Sequence, residues 1–310
     1  MPTVTLVTGA AGFAGSHLLD LLQTDGTRIV ALDRPGRTPP GVGGSTWEAV
    51  DLLDPAAVRD AIARVRPAVV YHCAGAAHVG RSWDTTASTF ALNVRATHYL
   101  LDALAREEVP ARVLIPSSAL VYAPADRALA EGDACVPASP YGLSKLAQEL
   151  LGCRANGGVR VAIARAFNHF GPRQDPMFVA SSFARRIADI ERGRWAPEIA
   201  VGNLDARRDL TDVRDTVRAY KLILERGEPR RPYNVCTGRA IAIRDLLEML
   251  IARAKAPVTV TVDPNRYRPN DTPLLLGDPT RLCAELGWKP EIALEQTVDD
   301  LLAYWRTRDS

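Results

Sequence analysis

A run rich in β-branched residues, Val4 to Thr8, passes directly into Gly9-Ala10-Ala11-Gly12-Phe13-Ala14-Gly15 and then into an apolar-periodic stretch reaching Gln23. Strand, glycine turn and helix in this order open a βαβ unit. Glycines at 9, 12 and 15 let the backbone turn tightly and approach a pyrophosphate, which a helix N-terminus attracts through its N–H groups and dipole. Asp33 closes the next strand-like run, about 20 residues on, where an acid can accept from ribose hydroxyls. Gly9, Gly12, Phe13, Gly15 and Asp33 are therefore candidate dinucleotide-binding residues. Asp33 favours NAD(H), because a carboxylate repels a 2′-phosphate. Arg34 and Arg37 beside it can cradle that phosphate and keep NADP(H) open.

Short strand-like runs alternate with Ala/Leu-rich amphipathic stretches as far as Arg165. This is the pattern of an α/β fold with a doubly wound parallel sheet, a Rossmann domain. Asp51 and Leu52 fall at the end of the third strand, where a carboxylate can accept from an adenine amino group. Asp54 before Pro55 reads as a helix N-cap. Beyond Asn168 longer Pro/Gly/Arg-rich loops appear without a clean linker, so a smaller C-terminal substrate-binding domain should interleave with the first. The expected division is 1–167 with 205–236 for the dinucleotide, and 168–204 with 237–310 for the substrate.

The formal net charge of +2 and arginines scattered among nearly as many carboxylates form no basic stripe, which argues against a nucleic-acid partner. Five dispersed cysteines show no ligand spacing, so no metal site is expected and a reducing compartment fits. The sequence starts straight into a strand and holds no apolar run of about 20 residues. A soluble, cytoplasmic protein is expected, with no membrane partner.

Lysine is scarce: only Lys145, Lys221, Lys255 and Lys289 occur. Lys145 stands one helical turn after Tyr141 in Pro140-Tyr141-Gly142-Leu143-Ser144-Lys145, so the two side chains can share a face. An ammonium beside a phenol favours the phenolate, which would bring Tyr141 toward proton exchange at neutral pH. The same spacing also suits an ordinary amphipathic helix start.

With Gly9-x-x-Gly12-x-x-Gly15, the strand end His72-Cys73-Ala74-Gly75, the segment Ser117-Ser118-Ala119-Leu120-Val121-Tyr122 and Tyr141-x-x-x-Lys145 in this order, the chain resembles the extended short-chain dehydrogenase/reductases over nearly all its length. The second half is similar to the nucleotide-sugar branch containing GDP-mannose 4,6-dehydratases and GDP-4-keto-6-deoxy-D-mannose reductases. The similar stretches are Phe167-Asn168-His169-Phe170-Gly171-Pro172, Val201 to Asp209, and Arg268-Pro269-Asn270-Asp271 running into Leu276-Gly277-Asp278-Pro279.

The resemblance implies an enzyme with three catalytic residues. Ser118 would hydrogen-bond the reacting sugar oxygen, Tyr141 would move the proton, and Lys145 would tune it and hold the nicotinamide ribose. Cys73, Ala74 and Gly75 would line the cofactor. His78 and Arg81 would line the sugar pocket, Asn168 would donate to the diphosphate, and Val201 and Asn203 would border the substrate. Arg208 and Arg268 would bind the diphosphate, with Asp271 on the ribose hydroxyls. A GDP-linked sugar is implied only by resemblance, as is a homodimer built on the helices near Thr89 to Arg106 and Tyr141 to Cys153.

Leu120 limits the chemistry. In the 4,6-dehydratases its position carries a glutamate that removes the C5 proton, and leucine cannot accept one. Asp126 and Glu131 have no spacing that returns them to the site. Reduction of a C4 ketone by NAD(P)H, as in conversion of GDP-4-keto-6-deoxy-D-mannose to GDP-D-rhamnose, needs only the acid, the hydroxyl and the cofactor. A 4-epimerase uses the same residues in both directions and is the alternative, followed by a dehydratase and by a non-catalytic dinucleotide sensor.

Overall fold

Adjacent residues of the first strand bury opposite ways: Leu6 and Val7 are both fully buried, but in two different cores. A strand with both faces covered belongs to a parallel sheet sandwiched between helices. The computed structural model describes residues 3–24, 26–37, 44–264 and 272–308. Its main sheet is built from β1 (Val4–Thr8), β2 (Arg28–Asp33), β3 (Ser45–Ala49), β4 (Val69–His72), β5 (Arg112–Ser118), β6 (Arg160–Ala166) and β10 (Pro232–Val235). All pairings are parallel and the order is β10-β6-β5-β4-β1-β2-β3. Chain order reverses between β1 and β4, and the crevice beyond the carboxyl ends of those strands is where such sheets bind ligands.

On one face, Leu18 and Leu22 of α1 (Phe13–Gln23) pack with Val217, Tyr220 and Ile223 of α7 (Val213–Arg226). On the other lie α2 (Pro55–Val65) and α4 (Ala96–Arg106), contributing Val58, Ile62, Leu100 and Leu104. Helix α2 starts as its sequence dictates: the Asp54 carboxylate accepts from Ala56 and Ala57 N–H, and Pro55 fills the first position. The expected helix from Thr89 to Arg106 is interrupted: α3 (Thr86–Phe90) passes through a π turn over Ala91–Arg95 before α4. Helix α5 (Pro140–Cys153) packs on β5 and β6 near the catalytic candidates.

The second lobe has its own core of α6 (Val179–Glu191), α8 (Ile243–Ile251) and α10 (Leu294–Thr307) around β8 (Glu198–Val201). Its strands form two small sheets. One joins β7 (Asn168–Phe170), β9 (Arg207–Asp212), β11 (Ala240–Ala242) and β13 (Leu274–Leu275); the other pairs β8 with β12 (Thr259–Val262). This changes the expected division. Within 205–236, β9 pairs in the smaller sheet, and only α7 and β10 return to the main one. Within 237–310, α9 (Thr280–Leu286) comes back too, burying Leu282 and then Trp288 in the main core. Pairing partners far apart in sequence decide both cases. Among the described residues, no helix is long and apolar enough to cross a membrane.

Candidate active site

The glycine turn is shaped by contacts that only hydrogen permits. Gly9 has φ +64°, and a β-carbon on it would lie 2.6 Å from the backbone of Ala74, at the end of β4. On Gly15 a β-carbon would lie 2.3 Å from Gly9 O. Gly12 caps α1 with no side-chain acceptor, and no acid occupies the first turn, so the helix N–H groups and dipole are left to an anion. Asp33 steadies the turn from β2: its Oδ2 accepts from Ala11 N at 2.8 Å and its Oδ1 from Arg34 N at 2.8 Å. Arg34 and Arg37 are exposed at the same corner. Asp51, also exposed, accepts from Leu53 N at 2.9 Å, and Leu52 is half-buried beside it. This cradle fits an adenine dinucleotide.

Helix α5 begins because Ser139 caps it, accepting from Gly142 N at 3.1 Å, with Pro140 in the first turn. Gly142 then lets the helix press on the turn after β5, since a β-carbon there would lie 2.2 Å from Leu120 O. That close approach brings Tyr141 to Ser118, which is itself 8% exposed and accepts from Leu120 N at 3.2 Å. Ser118 is thus both the turn hydroxyl and a partner of the phenol.

The electrostatics differ from the sequence expectation. Burial pushes the Tyr141 phenol up to about 12, and the hydrogen bond from Ser118 only partly offsets it. The Lys145 ammonium is 6.0 Å from the Tyr141 ring centroid and donates instead to Pro116 O and Gln148 Oε1, each at 2.9 Å. Burial lowers Lys145 to about 8. Tyr141 therefore keeps its proton at neutral pH, the state required of a general acid. Cys73 lies beside Lys145, and burial raises its thiol to about 12. At Gly75 a β-carbon would meet Asn93 Oδ1 at 2.6 Å.

The substrate-side candidates stand on several elements of both lobes. His78 stacks on Phe178 of the second lobe, with centroids 4.5 Å apart and an interplanar angle of 20°. Arg81 is exposed in the short turn Gly80–Ser82. Asn168 is exposed at the head of β7, beyond the carboxyl end of β6. The half-buried Arg208 donates through Nη1 to Thr272 O at 2.7 Å. On the same strand, Asp209 accepts from Thr237, Gly238 and Gly277 N–H groups, and Asp212 from Arg214 and Thr297. The Val201 side chain is 2% exposed and packs in the second core, which leaves its backbone to border a substrate. Asn203 accepts through Oδ1 from Asp205 N at 2.9 Å in a turn after β8. Arg268 and Asp271 lie outside the described residues.

Asn93 belongs to none of the motifs that mark the site in sequence. Asn93 is fully buried in the π turn, accepting from Ala76 N and donating to Ser144 Oγ, each at 2.8 Å, and so ties the loop after β4 to α5. An asparagine within an Ala/Leu-rich helix was the available signal. Neither of the nearby acids, among the described residues, is offered to Leu120: Asp126 is exposed, and Glu131 accepts from Asn234 N at 2.9 Å, facing β10.

Known proteins are similar to this chain in sequence and fold. A family model described as GDP-mannose 4,6 dehydratase matches residues 6–301. A GDP-6-deoxy-D-mannose reductase of Pseudomonas aeruginosa is 36% identical over 308 residues, covering 97% of both chains. The structure of RMD from Pseudomonas aeruginosa complexed with NADPH matches with a TM-score of 0.87 and 34% identity, over 99% of this chain and 100% of that one. A UDP-glucose 4-epimerase of Thermus thermophilus, in complex with NAD, matches with a TM-score of 0.86 and 28% identity, over 98% and 99%. With the glycine cradle and the Ser118, Tyr141 and Lys145 set, these similarities show that the chain belongs to the GDP-mannose 4,6 dehydratase family of extended short-chain dehydrogenase/reductases, and with it to the NAD(P)-dependent nucleotide-sugar oxidoreductases.

Proposed function

We propose that the enzyme reduces the C4 ketone of a nucleotide-diphospho-4-keto-6-deoxyhexose, converting GDP-4-keto-6-deoxy-D-mannose to GDP-D-rhamnose. The observation that carries this reading is Leu120: the site has an acid and an orienting hydroxyl, but among the described residues no base beside them for an elimination. The similarity to a reductase over 97% of both chains supports the same choice.

The nicotinamide, when bound, supplies the hydride to C4. Gly9, Gly12 and Gly15 with the α1 N-terminus hold the pyrophosphate, Asp33 borders the adenosine ribose, and Lys145 takes the nicotinamide ribose. Asp33 favours NAD(H), while exposed Arg34 and Arg37 suit the phosphate of NADP(H). Ser118 donates to the C4 oxygen as negative charge develops there. Tyr141, protonated at neutral pH, then gives up its proton, so ketone plus hydride plus proton closes to an alcohol. The Lys145 charge favours the phenolate left behind. His78, Arg81, Asn168, Arg208, Arg268 and Asp271 are assigned to the sugar, diphosphate and ribose. The partner is a nucleotide sugar, with GDP favoured, and a second copy of the chain: α5 exposes Leu143 and Leu150 at 49% and 57%, and the π turn exposes Leu92 at 37%.

The test incubates the purified protein with GDP-4-keto-6-deoxy-D-mannose and either NADPH or NADH. Loss of reduced-nicotinamide absorbance with formation of GDP-D-rhamnose is expected, and no oxidation with any GDP-, UDP- or dTDP-linked keto-sugar would sink the proposal. The epimerase reading, supported by the likeness to a UDP-glucose 4-epimerase, predicts interconversion of 4-hydroxyl epimers without added cofactor.

A further inference from the structure

Lys145 is held by more than its own helix. Its Nζ donates to Pro116 O and to Gln148 Oε1, and the Gln148 Nε2 donates onward to Thr97 Oγ1 at 2.7 Å. Thr97 spends its own hydrogen on Asn93 O at 2.6 Å. It can then only accept from His72 Nε2, 2.9 Å away. That fixes the imidazole as the Nε2–H tautomer, and Nδ1 accepts from Thr8 Oγ1 at 2.8 Å. Thr8 Oγ1 in turn accepts from Ala74 N at 3.3 Å. Two starts fix the directions: an ammonium has no lone pair, so the amide of Gln148 must turn its oxygen to Lys145, and a carbonyl has no hydrogen, so Thr97 must donate to Asn93 O.

Thr8, His72, Thr97 and Gln148 are each at most 1% exposed, so these bonds exchange little with water and leaving one unmade is costly. The chain runs from the catalytic helix through α4 and β4 to the last residue of β1, where the glycine turn begins. Burial lowers His72 to about 3, with the Lys145 charge acting the same way, so it stays neutral and keeps its role as donor and acceptor.

We propose that Gln148 is a positioning residue for the reaction: it fixes the Lys145 ammonium and supports its charge, and its own amide is oriented by Thr97, His72 and Thr8. The groups facing Lys145 are His72 from β4 and Cys73 just after it, and Tyr141 and Glu149 from α5. Of the polar contacts made by Nζ, the one to Gln148 is the side-chain acceptor that a single substitution removes without altering a titratable group.

The chain has four lysines, so the full-length protein labelled with carbon-13 at the lysine ε position gives four resonances, and Lys145→Met assigns one of them. Lys145 is expected to half-titrate near pH 8. In Gln148→Met its midpoint falls by about one unit or more, because a hydrogen bond to the charged form is lost. In Gln148→Glu it rises, because a carboxylate replaces the amide. An unchanged midpoint in the methionine variant overturns the proposal. If that variant does not fold, the glutamate variant decides alone, an upward shift supporting the proposal and no shift overturning it. The catalytic consequence rests on Lys145 serving Tyr141 as proposed above, but the titration needs no substrate. A reductase assay that fails while the midpoints move would remove the reaction and leave the positioning role standing.

Discussion

Glu149 and Arg165 form an ion pair at 2.7 Å with side chains only 5% and 7% exposed, joining the helix that carries Tyr141 and Lys145 to β6. Ser117, next to Ser118, donates to the same carboxylate, and the Arg165 guanidinium lies 4.8 Å from the Tyr122 ring centroid. Burial opposes the guanidinium charge, yet the hydrogen bonds and charge of Glu149 hold the Arg165 pKa above its ordinary value.

Removing one partner leaves the other charge buried and uncompensated. Glu149→Leu should destabilise the fold by about 3 kcal/mol or more, read from urea unfolding. The double variant Glu149→Leu with Arg165→Met should recover part of that loss, because the unpaired guanidinium is gone. Strict additivity of the two single variants would contradict a direct pair.

Gly9 predicts a different failure. Gly9→Ala places a side chain at φ +64° and against the backbone of Ala74, so two strand ends at the switch point must part. A cost of about 2 kcal/mol or more is expected. Its diagnostic sign is functional: NADPH, which should raise the melting temperature of the parent protein by mass action, should lose that effect in the variant. Retained stabilisation by NADPH would place the pyrophosphate elsewhere.

Exposed leucines on α5 make the assembly testable. Leu150→Asp puts a charge into the face proposed to meet a second copy, where it would be desolvated without a partner. Light scattering should show the parent as a dimer and the variant as a monomer, with the unfolding of the isolated chain little changed because Leu150 is 57% exposed. A monomeric parent would remove the interface.

What the sequence made legible was local. Asp54 before Pro55 announced a helix start, and the glycine turn announced a strand end, because each depends on neighbours within a few residues. The candidate triad was readable for a related reason: Tyr141 and Lys145 share one helix, and Ser118 closes a strand. Partners distant along the chain were not readable. Thr8 meets His72 across 64 positions and Thr97 meets Gln148 across 51, and no periodicity encodes such pairs. Strand β9 illustrates the same limit, since only its partners β7, β11 and β13 reveal which sheet it joins. The desolvation of the half-buried Tyr141 was also invisible, and it, not spacing, raises the phenol's proton affinity.

The pH dependence of the proposed reduction follows from that burial. As the acid, Tyr141 must carry its proton, which it does up to about pH 12, and Lys145 must carry its charge, which it does up to about pH 8. Lys145 therefore fails first. The kcat/KM for the keto-sugar should be level through neutrality and fall about tenfold per unit as pH rises beyond about 8, since this parameter reports the free enzyme. Tyr141→Phe should lower kcat by about 10²–10⁴-fold at every pH while leaving NADPH binding intact. Lys145→Met should remove the basic limb near pH 8, because the group responsible is Lys145. A limb that persists in that variant would assign it to the phenol instead, and would mean that Tyr141 ionises far below the range its desolvation imposes.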